Sequence, residues 1–137
     1  VSVGHKFKWF SEQVYAISPR GDIICLRKGA TVLDFAYSEH TDIGHAWIGG
    51  KINGRIVPLT TKLTNGDQVD IMTKRGSRPS RDWLRSEYGY VVTKRAINKI
   101  MTWFKKVDMQ AAQREGQRIF DNQVMKNANL RDLGVGL

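Results

Sequence analysis

The sequence predicts an α+β fold in which one helix crosses a mixed β-sheet, followed by a small α-helical extension. Three observations carry this. Short runs of β-prone apolar residues alternate with Gly, Asn and Asp turns between Val14 and Met72, one helix with a capping signal interrupts them, and a helical period of apolar residues begins near residue 94.

Val14 to Ile17 forms the first strand, Pro19, Arg20, Gly21 and Asp22 close it, and Ile23 to Leu26 returns as a hairpin partner. Arg27 to Ala30 break the pattern. Thr31, with Asp34 three positions on, resembles a capping box and starts a helix running to about His40. A strand from Ala46 to Ile52 meets Asn53-Gly54, a strong hairpin signal, and Arg55 to Val57 returns. Asn65, Gly66 and Asp67 turn into a last strand, Gln68 to Met72, where Val69 and Ile71 occupy one face. The order is β-β-α-β-β-β.

Residues 74–81 read as a basic linker, since Gly76 and Pro79 stand among cations and serines. Beyond it, residues 94–106 wind Ala96, Ile97, Ile100, Met101, Trp103 and Phe104 onto one half of a helix. A second helix is expected after Asp108 as N-cap, with Ala112, Gly116, Ile119 and Phe120 on a narrower face. Residues 1–13 read as the tail of a preceding segment, 14–73 as the sheet domain, and 82–137 as the start of a helical domain whose last residues, Leu133 to Leu137, fray.

The 137 residues, 41% hydrophobic and 26% charged, suit a small soluble core with an appendage, and no apolar run approaches the roughly 20 residues that span a bilayer. Cys25 is the only cysteine, which excludes an intrachain disulfide and fits a reducing, cytoplasmic setting. The net charge is +9, and its distribution is uneven. Residues 14–73 balance six cations with six anions, whereas residues 74–109 set ten Lys and Arg against three Asp and Glu. A concentrated basic stretch of this kind attracts polyphosphate. No metal site is expected, because the three histidines fall in different elements with no accompanying Cys or carboxylate spacing. The glycines are scattered over turns and form no phosphate-cradling loop. No nucleophile with a base and no carboxylate pair is readable, so the expectation is a binding module and not an enzyme.

From Val14 to Trp83 the chain resembles the TGS domain of long RelA/SpoT enzymes. The resemblance is carried by Ser18-Pro19-Arg20-Gly21-Asp22, Gly29-Ala30-Thr31-Val32-Leu33-Asp34-Phe35-Ala36-Tyr37 and His40-Thr41-Asp42-Ile43-Gly44-His45, continuing through Gly50 to Pro58, Asn65-Gly66-Asp67 and Pro79 to Leu84. Gly89-Tyr90-Val91 and Ile100 to Lys106 are similar to the start of that family's helical domain. The resemblance implies a β-grasp (ubiquitin-like) sheet and a regulatory fragment of an enzyme that makes or degrades guanosine tetra- and pentaphosphate, with no cofactor in the fragment itself. It implies as partners the catalytic domains of the same parent chain, and either uncharged tRNA with ribosomal RNA or acyl carrier protein. Ser38 and Ala46 depart from the ribosome-associated members, many of which carry a histidine and a basic residue there.

The residues expected at a tRNA 3′ end are His40, Thr41, Asp42 and His45. An imidazole at the helix end, beside a flexible Thr41-Asp42 loop, can stack on or hydrogen-bond to a base or ribose; the same position also suits a histidine that only meets the helix dipole. His45, entering a strand beside Trp47, reads equally as a packed sheet residue. The expected phosphate contacts are Lys51 and Arg55 beside the Asn53-Gly54 turn, Lys74, Arg75, Arg78 and Arg81 in the linker, and Lys94, Arg95 and Lys99 on the basic helix face. Trp83 is expected to pack the linker onto the domain, with Asp82 capping the turn that follows. Charge alone does not separate RNA from the acidic helix of acyl carrier protein.

Overall fold

Alternation of apolar residues sets the sheet. The structure, a computed structural model, describes residues 12–132, with side-chain surroundings through residue 129; the expected leader before residue 12 and the frayed end after 132 lie outside the described residues. Strands β1 (Gln13–Ile17) and β2 (Ile23–Arg27) pair antiparallel with Val14 opposite Leu26, so Val14 and Ala16 enter the core while Tyr15 faces away. Gly21, at φ 92°, closes the turn by donating its N–H to the Ser18 carbonyl.

Helix α1 (Val32–Glu39) starts at Thr31, whose side chain accepts from the Asp34 N–H while the Asp34 carboxylate accepts from the Thr31 N–H, the reciprocal cap expected from the sequence. Val32, Leu33, Phe35, Ala36 and Tyr37 are all buried, so α1 presents no fully polar face along most of its length. A one-turn helix α2 (Thr41–His45) follows at once, where the sequence reading expects a flexible loop. The correction has a local cause: His40, with an extended backbone, caps the new turn through its side chain, and Gly44 permits the turn to lie against α1.

Strand β3 (Trp47–Ile52) turns at Asn53 (φ 52°) and Gly54 (φ 84°) into the short β4 (Arg55–Ile56), as the Asn-Gly pair dictates. Asn53 then ties the turn to β5 (Asp67–Thr73), accepting from Gln68 N–H at 2.9 Å and donating to Asp67 at 3.2 Å. The strand order is β2-β1-β5-β3-β4, with β1 and β5 parallel at the centre and all other pairs antiparallel. The α1 helix rests so closely on β3 that any side chain at Gly50 would strike Val32.

The basic segment after β5 is held by the sheet domain. Lys74 N–H donates to the Ala46 carbonyl, Pro79 is buried, and Trp83 stands edge-on to Trp47 at 5.5 Å in the 3-10 turn Arg81–Leu84. Trp83 packs as expected, but Ser80 and not Asp82 caps that turn: its Oγ accepts the Asp82 N–H at 3.2 Å. Tyr90 completes the aromatic group around Trp47 at 6.4 Å. The Trp47 indole N–H, fully buried, meets no hydrogen-bond acceptor.

Helix α3 (Lys94–Asp132) is continuous, where the sequence reading expects a break at Asp108. No proline interrupts it, and residues 110–118 are dominated by Gln, Ala, Arg and Glu, whose helix preference outweighs the roughly 1 kcal/mol cost of Gly116. The chain divides into two units, one ending at Thr102 and one beginning at Trp103. Ala96 and Ile100 are fully buried in the first. In the second, Trp103 and Phe104 meet edge-to-face at 4.8 Å, Arg118 pairs with Glu115, and Ile119 and Phe120 are exposed.

The start of α3 is fastened to α1 through one carboxylate. Asp34, 1% exposed, accepts from the N–H groups of Val92 and Thr93 and from the Thr93 hydroxyl at 2.8–3.2 Å, in addition to the Thr31 N–H at 3.0 Å. Thr31 in turn donates its hydroxyl to the Tyr90 carbonyl at 2.5 Å. Asp34→Ala leaves these donors without an acceptor, and at about 1–3 kcal/mol for each one buried the expected loss of stability is at least about 3 kcal/mol. Urea unfolding of wild type and variant, followed by circular dichroism, measures it. Trp47→Phe relieves the unpaired indole N–H but gives up part of the ring packing against Trp83 and Tyr90, so its urea midpoint is expected to fall, though by less than that of Asp34→Ala, which strands several buried donors.

Candidate functional site

The α1–α2 junction gathers the histidines. His40 ends α1, donating its N–H to the Ala36 carbonyl, and begins α2, where its Nδ1 accepts the Asp42 N–H at 3.1 Å. That acceptor role fixes the neutral tautomer, so Nε2 carries the proton and is a donor. The His40 side chain is 63% exposed, and the Asp42 carboxylate lies 3.8 Å from Nδ1. The ring is therefore oriented from one side and open on the other.

His45 differs. It ends α2 instead of entering a strand, and it is half-buried. Its Nδ1 and the Tyr37 hydroxyl are 2.9 Å apart, with the rings edge-to-face at 5.3 Å. Burial pushes the Tyr37 phenol well above its ordinary range, so it keeps its proton. Burial likewise lowers the His45 pKa, with Asp42 raising and Lys99 lowering it. Both directions agree with one arrangement, a protonated phenol donating to a neutral imidazole. Gly44 makes this possible, because a Cβ there would occupy the space of the Tyr37 ring.

The cations fall into separate groups. Lys99 acts on His45, and Lys74 is bonded through its backbone to Ala46, the residue after His45, so both belong to the α2 neighbourhood. Arg75, Arg78 and Arg81 follow Lys74 on the exposed side of the linker. Lys51 and Arg55 stand at the opposite end of β3, roughly 15 Å from Trp47 at about 3.3 Å per residue. They are not gathered with the histidines. Arg95 has a structural duty, since its Nε donates to the Tyr37 carbonyl at 3.1 Å and satisfies the last turn of α1. Lys94 is exposed beside it. Thr41 is half-buried in the first turn of α2.

Sequence reasoning missed Tyr37, Gly44 and the capping role of Arg95. Tyr37 and His45 are eight residues apart across a helix break, a spacing that no single helical or strand period brings together. Ser38, a departure from the family pattern, donates to the Phe35 carbonyl of its own helix at 2.7 Å. Among the described residues no group of three or more His, Cys, Asp or Glu is placed to hold a metal, and no helix is long and apolar enough to cross a membrane.

A five-stranded mixed sheet with a central parallel pair, crossed by one helix, defines a β-grasp domain. Residues 14–73 match the TGS domain family. The TGS domain is a non-catalytic module. The chain is 45% identical over 128 residues, 93% of its length, to a GTP pyrophosphokinase of Escherichia coli K12. It is 44% identical over 124 residues, 90% of its length, to one of Photobacterium angustum, and 45% identical over 114 residues, 82% of its length, to one of Streptomyces coelicolor. It spans 16%, 17% and 13% of the length of those relatives respectively.

His45→Ala leaves the buried Tyr37 hydroxyl without its acceptor, an expected cost of about 1–3 kcal/mol. Because the His45 pKa is lowered in the fold, the neutral form contributes stability that is complete above the unfolded value of about 6.5 and is lost as pH falls through the lower folded value. Urea midpoints of wild type are therefore expected to drop between pH 7.5 and 5.5 by more than those of His45→Gln. Equal drops would remove His45 as the titrating group.

Proposed function

We propose that the chain is a regulatory module of a RelA/SpoT-type (p)ppGpp synthetase/hydrolase of the stringent response, and that it senses the 3′ end of uncharged tRNA on the ribosome. The observation that carries this is His40, an exposed imidazole whose Nδ1 is held by the Asp42 N–H and whose Nε2–H remains a donor. Such a ring offers a flat face for a terminal base and a fixed hydrogen bond for a ribose hydroxyl. An aminoacyl ester removes one hydroxyl of the ribose and adds bulk beside α2, which gives discrimination by charging state. Thr41 and Asp42 border the same ring, and His45, occupied by Tyr37, supports it from the far end of α2.

The phosphates of the acceptor strand and of ribosomal RNA are taken by Lys74, Arg75, Arg78 and Arg81 along the linker and by Lys99 near His45, with Lys94 adding charge. Contacts of this kind give affinity with little sequence readout. Lys51 and Arg55, a strand length away, serve a separate stretch of backbone. The module passes its signal to the other domains of its parent chain, where synthesis or hydrolysis takes place. The matched relatives' name, GTP pyrophosphokinase, supports a parent of this kind.

Two measurements test the reading. In the full-length protein, His40→Ala is expected to fold normally and to lose activation by ribosomes carrying uncharged tRNA, at a cost of about 1–3 kcal/mol in tRNA-end binding. Undiminished activation of the folded variant would overturn the sensor role and favour docking of acyl carrier protein on the basic surface. For the isolated chain, tRNA affinity is expected to fall with salt by about 0.7–0.9 log units per log unit of salt for each phosphate neutralised. Lys74→Ala and Lys99→Ala are expected to reduce that slope while leaving the preference for uncharged over charged tRNA unchanged.

A further inference from the structure

The side of the sheet farthest from the Asn53-Gly54 turn carries a second feature that the tRNA reading does not use. Among the described residues, strand β2 is the last strand in the order β2-β1-β5-β3-β4, with β1 on one side only. Its register shows which backbone groups are spent. Lys28 N–H donates to the Glu12 carbonyl and Ser18 N–H to the Asp22 carbonyl, so the bonded pairs between them are Val14 with Leu26 and Ala16 with Ile24. The backbones of Ile23, Cys25 and Arg27 therefore turn away from β1, and of these the Arg27 carbonyl is already taken by the Ala30 N–H.

Along this edge runs a groove of about 750 Å³, lined by Cys25, Leu26 and Arg27 of β2 and by Thr93, Lys94 and Arg95 at the start of α3. Among the described residues its charge is one-sided, with three cations and a single carboxylate, Glu12. The cations are braced: Arg27 reaches the Val92 carbonyl at 3.5 Å, and Arg95 Nε the Tyr37 carbonyl at 3.1 Å. The geometry points to a docking site for an extended acidic peptide segment of a partner protein, which adds a strand to β2 through the main chain of Ile23 and Cys25 while its acidic side chains meet Arg27, Lys94 and Arg95.

A peptide fits better than a nucleic acid because the edge alternates N–H with C=O. A phosphodiester group offers only acceptors, which match the amides and oppose the carbonyls, and the 2′-hydroxyls of RNA are not spaced to alternate with them along a strand edge, whereas a peptide strand answers both. Among the described residues, the groove lining also holds no aromatic side chain on which a base would stack.

The test uses the full 137-residue chain and a fluorescein-labelled eight-residue peptide in which Val alternates with Glu, read by fluorescence anisotropy. Saturable binding is expected, unchanged in Cys25→Ala, which keeps the outward N–H. Cys25→Pro removes that N–H at an edge position where proline leaves the β1 pairing intact, and is expected to weaken binding at least about tenfold, as is Lys94→Glu. The same peptide with alternate backbone amides N-methylated is expected not to bind, which decides the matter even if Cys25→Pro fails to fold. Equal binding of the N-methylated peptide would reduce the site to simple charge attraction and overturn the proposal. So would the absence of saturation, or displacement of the peptide by a single-stranded RNA whose own binding is indifferent to Cys25→Pro.

Discussion

The Asp34 carboxylate is the interaction on which the rest depends. It closes the N-terminal cap of α1 and receives the N–H groups of Val92 and Thr93, so one buried anion starts the crossing helix and anchors the chain that enters α3. A buried carboxylate is costly unless its lone pairs are occupied, and here backbone amides and the Thr93 hydroxyl occupy them without a cationic partner being required. Around that point the chain from Lys74 to Thr93 closes over the sheet: Trp83 and Tyr90 meet Trp47, and Thr31 bonds the Tyr90 carbonyl. The position of Arg95 under the end of α1, and of Lys99 near His45, follows from where Asp34 holds Thr93.

This anchoring makes the site composite. His40 and His45 come from the β-grasp segment, and Lys74, Arg95 and Lys99 from the residues after it. The Arg95 bond to the Tyr37 carbonyl and the Tyr37–His45 pair form a chain of contacts from the start of α3 to α2. His40, at the other end of α2, inherits its position from that chain and from the cap it makes itself.

Most of the fold was legible because its signals are local. The Thr31/Asp34 box, the Asn53-Gly54 turn and the alternation around Val69 each act within a few residues, and each occurs as read. The unread parts depend on distant partners or on balances of small terms. Asp34 looked like an ordinary capping residue, and nothing in its neighbourhood announced Val92 and Thr93. The one-turn α2 escaped because five residues with a glycine among them have little intrinsic helicity; its cap and its seat against Tyr37 hold it. The expected break at Asp108 failed since a capping-type residue alone does not end a helix whose flanks both favour it. At the α1–α2 junction, residue types singled out His40 as a candidate, but not its tautomer, and gave no hint that Arg95 is partly consumed in holding α1.

Gly44 sits flat against the Tyr37 ring, with no room for even a methyl group. This limits the routes by which the module can diverge. Positions 41 and 42 tolerate exchange one at a time, since their side chains reach solvent or the rim of α2, whereas His40 is held by the cap it makes. A larger residue at 44 must be accompanied by a smaller one at 37, and that second change takes away the phenol that holds His45. The rim of α2 is thus free to drift in its chemistry, whereas the ledge on which it stands changes only through coupled substitutions that pass by way of a less stable intermediate.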